Sequence, residues 1–197
     1  MKKMNSKGFT LIELLAVITI MGILMMVAIP SVSRTIENSR RDTFANIAHE
    51  YLNAIRNNVL ADNMECEMAT GNVVASATPD GFYYFEIDTL DQGTKDLMES
   101  GGKSPSGNAE MKGYVVWHKQ TKNANTDKQH TTTTYYTKLV DSGKHGFDDY
   151  LREEEIKRAN INTATTKDTT NIATPASGQQ LVTGISITAA PSKCKLS

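Results

Sequence analysis

Few residues in this 197-residue chain combine the type and the spacing that chemistry needs. His49-Glu50 opens like the zinc-binding pattern HExxH, but position 53 is Asn, so the second imidazole is missing. His118, His130 and His145 are scattered along the chain and read as solvated or structural. Glu153, Glu154 and Glu155 form a short acidic run, read as a solvated helix face rather than a metal site, and Thr131 to Thr134 read as strand rather than a binding motif. No dinucleotide fingerprint, P-loop, nucleophile elbow or EF-hand pattern occurs, so the sequence predicts no catalytic residues, no metal and no cofactor. The two cysteines, Cys66 and Cys194, are too few for a four-ligand zinc site. In an exported chain such a pair is a candidate disulfide, with two free thiols as the alternative. Glu13 stands apart. It is the one charge in residues 9–29, FTLIELLAVITIMGILMMVAI. A charge at the middle of a membrane costs about 2.5–3.5 kcal/mol, less near an end, so it calls for a functional reason.

The segment around Glu13 must be positioned by a membrane. Its 21 residues make a helix roughly 32 Å long, against a hydrocarbon core of about 30 Å. Lys2, Lys3 and Lys7 precede it with no acid among residues 1–8, which favours a cytoplasmic N-terminus; Arg34, Arg40 and Arg41 weaken that bias without reversing it. An ordinary secretory signal peptide lacks its cleavage site here, the nearest sequence being Ser31-Val32-Ser33. A plain signal anchor leaves Glu13 unexplained. Elsewhere composition is that of a globular protein: 22% charged, 7% aromatic, net charge −1. No basic face dominates, which argues against nucleic acid as a partner.

Lys7-Gly8-Phe9-Thr10-Leu11-Ile12-Glu13 resembles the type IV prepilin signature, a short basic leader ending in Gly followed by Phe, an acid four positions after that Phe, and an apolar helix. Gly22 and Pro30 also fall where many pilins place a Gly and a Pro. The resemblance covers residues 1–35. It implies that a prepilin peptidase cuts between Gly8 and Phe9 on the cytoplasmic side, that Phe9 is then N-methylated, and that Glu13 guides subunit docking with the Phe9 amine. The chain then divides into a cleaved leader (1–8), a transmembrane and assembly helix (9–35) and a globular head (36–197). Loss of the leader removes three of 21 basic residues, leaving 18 against 22 acidic ones, a formal net of −4. The implied function is a structural subunit of a type IV pilus, serving adhesion, motility or aggregation. Its partners are further pilin subunits, the peptidase and the membrane assembly machinery. Its location is the cytoplasmic membrane, single-pass with the N-terminus inside, and then an extracellular filament. The alternative is a pseudopilin of a type II secretion or DNA-uptake machine, the one case in which nucleic acid enters. A tip adhesin or enzyme carried on a pilin stem is a third reading.

Downstream, Ile36, Phe44, Ile47, Ala48, Tyr51, Leu52, Ile55 and Val59 recur mostly at three-, four- and seven- or eight-residue steps, which predicts one helix over about 9–62 whose second half is amphipathic. Gly22 and Pro30 are its weakest positions and are expected to loosen it in an assembled filament. Residues 63–81 read as a loop, 82–87, 113–118 and 131–140 as strands, 96–100 as a short helix and 119–130 as a polar hairpin loop. Residues 148–161 read as a helix, 162–180 as irregular, and 180–188 as a last strand with Gly184 as a bulge. The sum is α+β: a long N-terminal helix on an antiparallel sheet of about four strands, the arrangement of the type IV pilin fold.

Overall fold

The computed structural model describes residues 9–68, 71–75, 79–91, 93–94, 97–98, 103–107, 109–122, 127–143, 145–163 and 172–197. Helix α1 runs Leu11–Leu60, 50 residues and so about 75 Å, without a break at Gly22 or Pro30. Its residues fall into two compact units, one ending at Ser39 and one spanning Arg40–Ser197. In the first, Leu11 to Ile36 expose their apolar side chains on every face. A helix apolar all round needs an apolar surround. Among the described residues, α1 is the one helix long and apolar enough to cross a membrane. Ile36, read from the sequence as part of the amphipathic stripe, is exposed because it lies before the head begins.

In the second unit the stripe is core. Phe44, Ala48, Tyr51, Leu52 and Ile55 are fully buried. They pack on a mostly antiparallel sheet of seven strands: β1 (Met64–Glu67), β2 (Val73–Ala75), β3 (Gly81–Asp88), β4 (Met111–Lys122), β5 (His130–Asp141), β6 (Leu151–Arg152) and β9 (Ser192–Leu196), in the order β2-β1-β9-β3-β4-β5-β6. A hairpin, β7 (Gln180–Val182) with β8 (Ile185–Ser186), stands apart. Side chains alternate across a strand, so odd and even residues separate. Tyr83, Phe85, Ile87, Val115, Trp117, Tyr135 and Leu139 face α1. Phe82, Tyr84, Tyr114, Val116 and Tyr136 form a second core on the other face with Tyr150, Leu181 and Ile187. A sheet buried on both faces explains why 82–85 and 114–117 read as unbroken apolar runs.

Several sequence expectations need correction. The sheet has seven strands rather than about four, and β9 pairs parallel with β3 while pairing antiparallel with β1. Residues 63–81, read as loop, hold β1 and β2. All three of β1, β2 and β9 are short, β2 just Val-Val-Ala, and β1 and β9 carry charge at alternate positions: Met64 and Cys66 are buried while Glu65 and Glu67 point outward, and Cys194 is buried between Lys193 and Lys195. Residues 119–122 and 130 extend the β4–β5 ladder instead of looping. Residues 180–188 are a hairpin, with Gly184 at φ +81° in its two-residue turn and not in a bulge. Of the predicted helix at 96–100, Leu97 and Met98 are described and are not helical, Leu97 lying in a turn; its other residues and part of the irregular stretch at 162–180 lie outside the described residues.

The helix expected at 148–161 is instead β6 followed by two 3-10 turns, Glu153–Glu155 and Arg158–Asn160. Its apolar residues serve opposite sides of the sheet. Tyr150 joins the outer core, while Ile156 and Ile161 join the inner one. One helical stripe cannot face both ways, so the segment wraps around the sheet edge. It is tied to α1 at Asp42, His49 and Arg56, seven residues apart. Arg158 Nε donates to Asp42 Oδ1 at 2.7 Å, His49 Nε2 lies 3.2 Å from the Ile156 carbonyl, and Arg56 pairs with Glu153. The Arg56 guanidinium holds the Glu153 carboxyl below its ordinary range.

Candidate processing and assembly site

Phe9 and Thr10 precede α1 in non-helical backbone, and Phe9 is exposed. Gly8 lies outside the described residues. Thr10 is the helix N-cap. Its carbonyl accepts the first intrahelical bond, from Leu14 N–H at 3.2 Å, and its hydroxyl is 3.4 Å from the Glu13 N–H. Glu13 returns the contact: its Oε2 accepts from the Thr10 N–H and the Thr10 hydroxyl, each at 2.8 Å. This is a reciprocal capping box, with the acid in the turn where the helix dipole favours it. Its sequence signal is Thr10-Leu11-Ile12-Glu13, a T-x-x-E run ahead of an apolar stretch. The polar contacts of the Glu13 carboxylate run to Thr10, not to the Phe9 backbone. Gly22 and Pro30 sit within continuous helix, and a Cβ at Gly22 would meet nothing within 4 Å. The helix therefore caps its own first turn, and Gly22 leaves an unobstructed small-residue position on its surface.

Cys66 and Cys194 are directly opposed across β1 and β9 and joined as a disulfide. Both are buried. The hairpin β1–β2 reaches the rest of the sheet through β9, so the bond ties the strand after α1 to the end of the chain.

Sequence reasoning also missed a buried polar cluster at the end of β5. Asp141 is fully buried and accepts from Ser104 Oγ at 2.6 Å and from the His145 N–H at 2.7 Å. His145 Nδ1 lies 3.3 Å from Asp141 Oδ2 and 3.2 Å from Ser106 Oγ. Gly143 makes room, since a Cβ there would come within 2.3 Å of Ser106. Asp141 and Ser106 approach the same imidazole nitrogen. A nucleophilic relay places them on opposite nitrogens, so the cluster anchors the 103–107 loop rather than activating a serine. Of the other residues weighed from the sequence, His118 stacks on Phe82 at 3.9 Å, with burial holding its pKa below the ordinary value. His130 and Glu154 are exposed. Among the described residues, no three acidic, His or Cys side chains gather as a metal site.

Against this geometry stand the comparisons with known proteins. Residues 3–29 match the prokaryotic N-terminal methylation motif, the class III signal peptide of type IV pilins. No curated protein and no solved structure matches the chain. The motif and the long apolar helix together support a type IV pilin-like prepilin or pseudopilin, a membrane-anchored class that prepilin peptidase processes.

Proposed function

We propose that the chain is a structural subunit of a type IV pilus, polymerised through α1 into a surface filament for adhesion, motility or aggregation. The observation that carries this is the prepilin motif at residues 3–29, leading into a helix apolar on every face. Cleavage falls between Gly8 and Phe9 and leaves the apolar segment attached, so the product stays in the membrane with a new cationic amine at Phe9. Methylated Phe9 of an arriving subunit meets Glu13 of a neighbour. At about 4 Å and an effective dielectric near 20 that attraction is about 4 kcal/mol before desolvation is subtracted. One axial offset aligns the charges, so the pair sets register while the apolar faces pack. Gly22 and Pro30 let the intervening helix loosen once neighbouring stems cover the freed backbone groups. The sheet head is displayed outward.

Two measurements test the reading. Mass spectrometry of sheared surface material should find chains that begin at methylated Phe9, and Gly8→Val should leave the precursor uncut. Immunogold electron microscopy with antibody to residues 63–197 should label filaments along their length. Chains in the filament that begin at Met1 or after Ser33 contradict the cleavage site. Processed chains that never appear in filaments favour the pseudopilin of a secretion or DNA-uptake machine.

A further inference from the structure

Among the described residues, part of one edge of the sheet is left open. β5 is twelve residues long, paired with β4 throughout. On its other side β6 covers just Tyr136 and Thr137, because the chain turns away at Glu153. Among the described residues, no strand pairs with the outer side of 130–135. Every second residue there turns its N–H and C=O away from β4. A cleft of about 620 Å³ lies alongside, lined by Arg56, Gln120, Thr133, Thr134, Tyr135 and Arg152. Odd and even residues of β5 both line it, so it takes in the two faces of the strand and the open edge between them.

Proteins usually protect such an edge with a charge, a proline or a bulge. Residues 131–137, Thr-Thr-Thr-Thr-Tyr-Tyr-Thr, contain neither charge nor proline, and the β4–β5 register runs without a shift. We propose that this edge pairs antiparallel with the same edge of a second copy, in a different filament, so that rows of such pairs bundle the filaments. This rests on the filament reading above.

Three arguments select that occupant. The edge is self-complementary. A two-fold axis normal to the sheet, passing at Thr132 or at Thr133, sets hydroxyl residues opposite hydroxyl residues at the centre and opposes no like charges. Symmetry decides which copy it is. Copies along one polar filament are related head to tail, whereas a two-fold contact uses the same patch on both partners, so it joins separate filaments. Size decides the outcome. Five or six residues a side fall well short of the roughly 1,000 Å² of a stable interface, so isolated heads stay apart. Two filaments present many such edges, and avidity multiplies them.

The test uses filaments sheared from cells that make the full chain, viewed by electron microscopy and sedimented at low speed. The parent filaments should bundle. Thr132→Lys with Thr133→Lys sets like charges opposite each other whichever residue lies on the axis, and should give single filaments with loss of the low-speed pellet. Thr132→Glu with Thr133→Glu should do the same, and mixing the two variant preparations should restore bundles. Filament formation by each variant shows that it folds. Bundling of either double variant alone, parent filaments that stay single, or a mixture that does not re-bundle would overturn the proposal. Absence of any parent filament would overturn the filament reading itself, and this inference with it.

Discussion

Glu13 has a partner within its own chain, and that sharpens what its mutation can reveal. Its Oε2 is engaged by both donors of Thr10, so part of its role is to cap α1. Removing an N-cap costs about 0.5–2 kcal/mol. Thr10→Val keeps the branched shape and deletes the hydroxyl, so it loses the cap but not the carboxylate. Glu13→Ala keeps the Thr10 hydroxyl on the residue-13 N–H but loses the return arm of the capping box and the charge proposed to meet Phe9 of a neighbour. Both variants should be processed and membrane-bound. If docking is the main role, Glu13→Ala should give few or no filaments and Thr10→Val a modest reduction. Equal filament counts in the two variants would reduce Glu13 to a helix cap.

Among the elements, β9 carries the most consequence for its length. Five residues at the end of the chain sit in the middle of the sheet, between β1 and β3. The head is incomplete until they arrive. The disulfide spans 128 positions, and chain entropy sets about 5 kcal/mol as a ceiling on what closing so long a loop contributes. Peptide mapping of exported protein, unfolded without reductant, should recover a Cys66–Cys194 linked pair. Two alkylatable thiols would show that the exported head holds its sheet without the bond. Cys66→Ser with Cys194→Ser should lower the urea midpoint by an amount within that ceiling. The hairpin β1–β2 should lose protection from hydrogen exchange before the β3–β4–β5 meander, because β9 is its link to the rest.

At the scale of the molecule, two cores around one sheet bury several tyrosines, and this gives the head an alkaline limit. Burial, with a smaller contribution from Glu50, pushes the Tyr51 hydroxyl up to about 12. Burial raises Tyr150 further. In the unfolded chain both titrate near 10. The folded state therefore keeps protons that the unfolded state releases. The stability is fully present below about pH 10 and is lost as pH rises towards 12. Tyr51 accounts for up to about 3 kcal/mol of that loss. Urea midpoints should be flat from pH 7 to 9 and fall above 10. Tyr51→Phe, which cannot ionise, should fall less steeply. An unchanged slope in that variant would mean that Tyr51 ionises without unfolding the head.

The sequence by itself determined the parts whose physics is local. A helix apolar on every face, a lone acid one turn into it and a Gly-Phe junction behind lysines are all read within one segment, and residues 3–29 match on that account. The amphipathic stripe from Phe44 to Ile55 was equally legible, because a 3.6-residue period does not depend on what it packs against. Only the tertiary structure decided the rest. The tyrosine-rich strands could be assigned to a sheet but not to two faces, since a strand buried on both sides loses its alternation. MECE and SKCKL are too short to declare themselves strands until β9 lies between β1 and β3 and pairs with both. Residues 148–161 have helical composition, yet Tyr150 and Ile156 are claimed by cores on opposite sides of the sheet, and that demand outweighs propensity. Asp141, His145 and Ser104 look like ordinary surface residues in sequence. They became a buried cluster because a loop 37 positions away in the chain folds onto the end of β5.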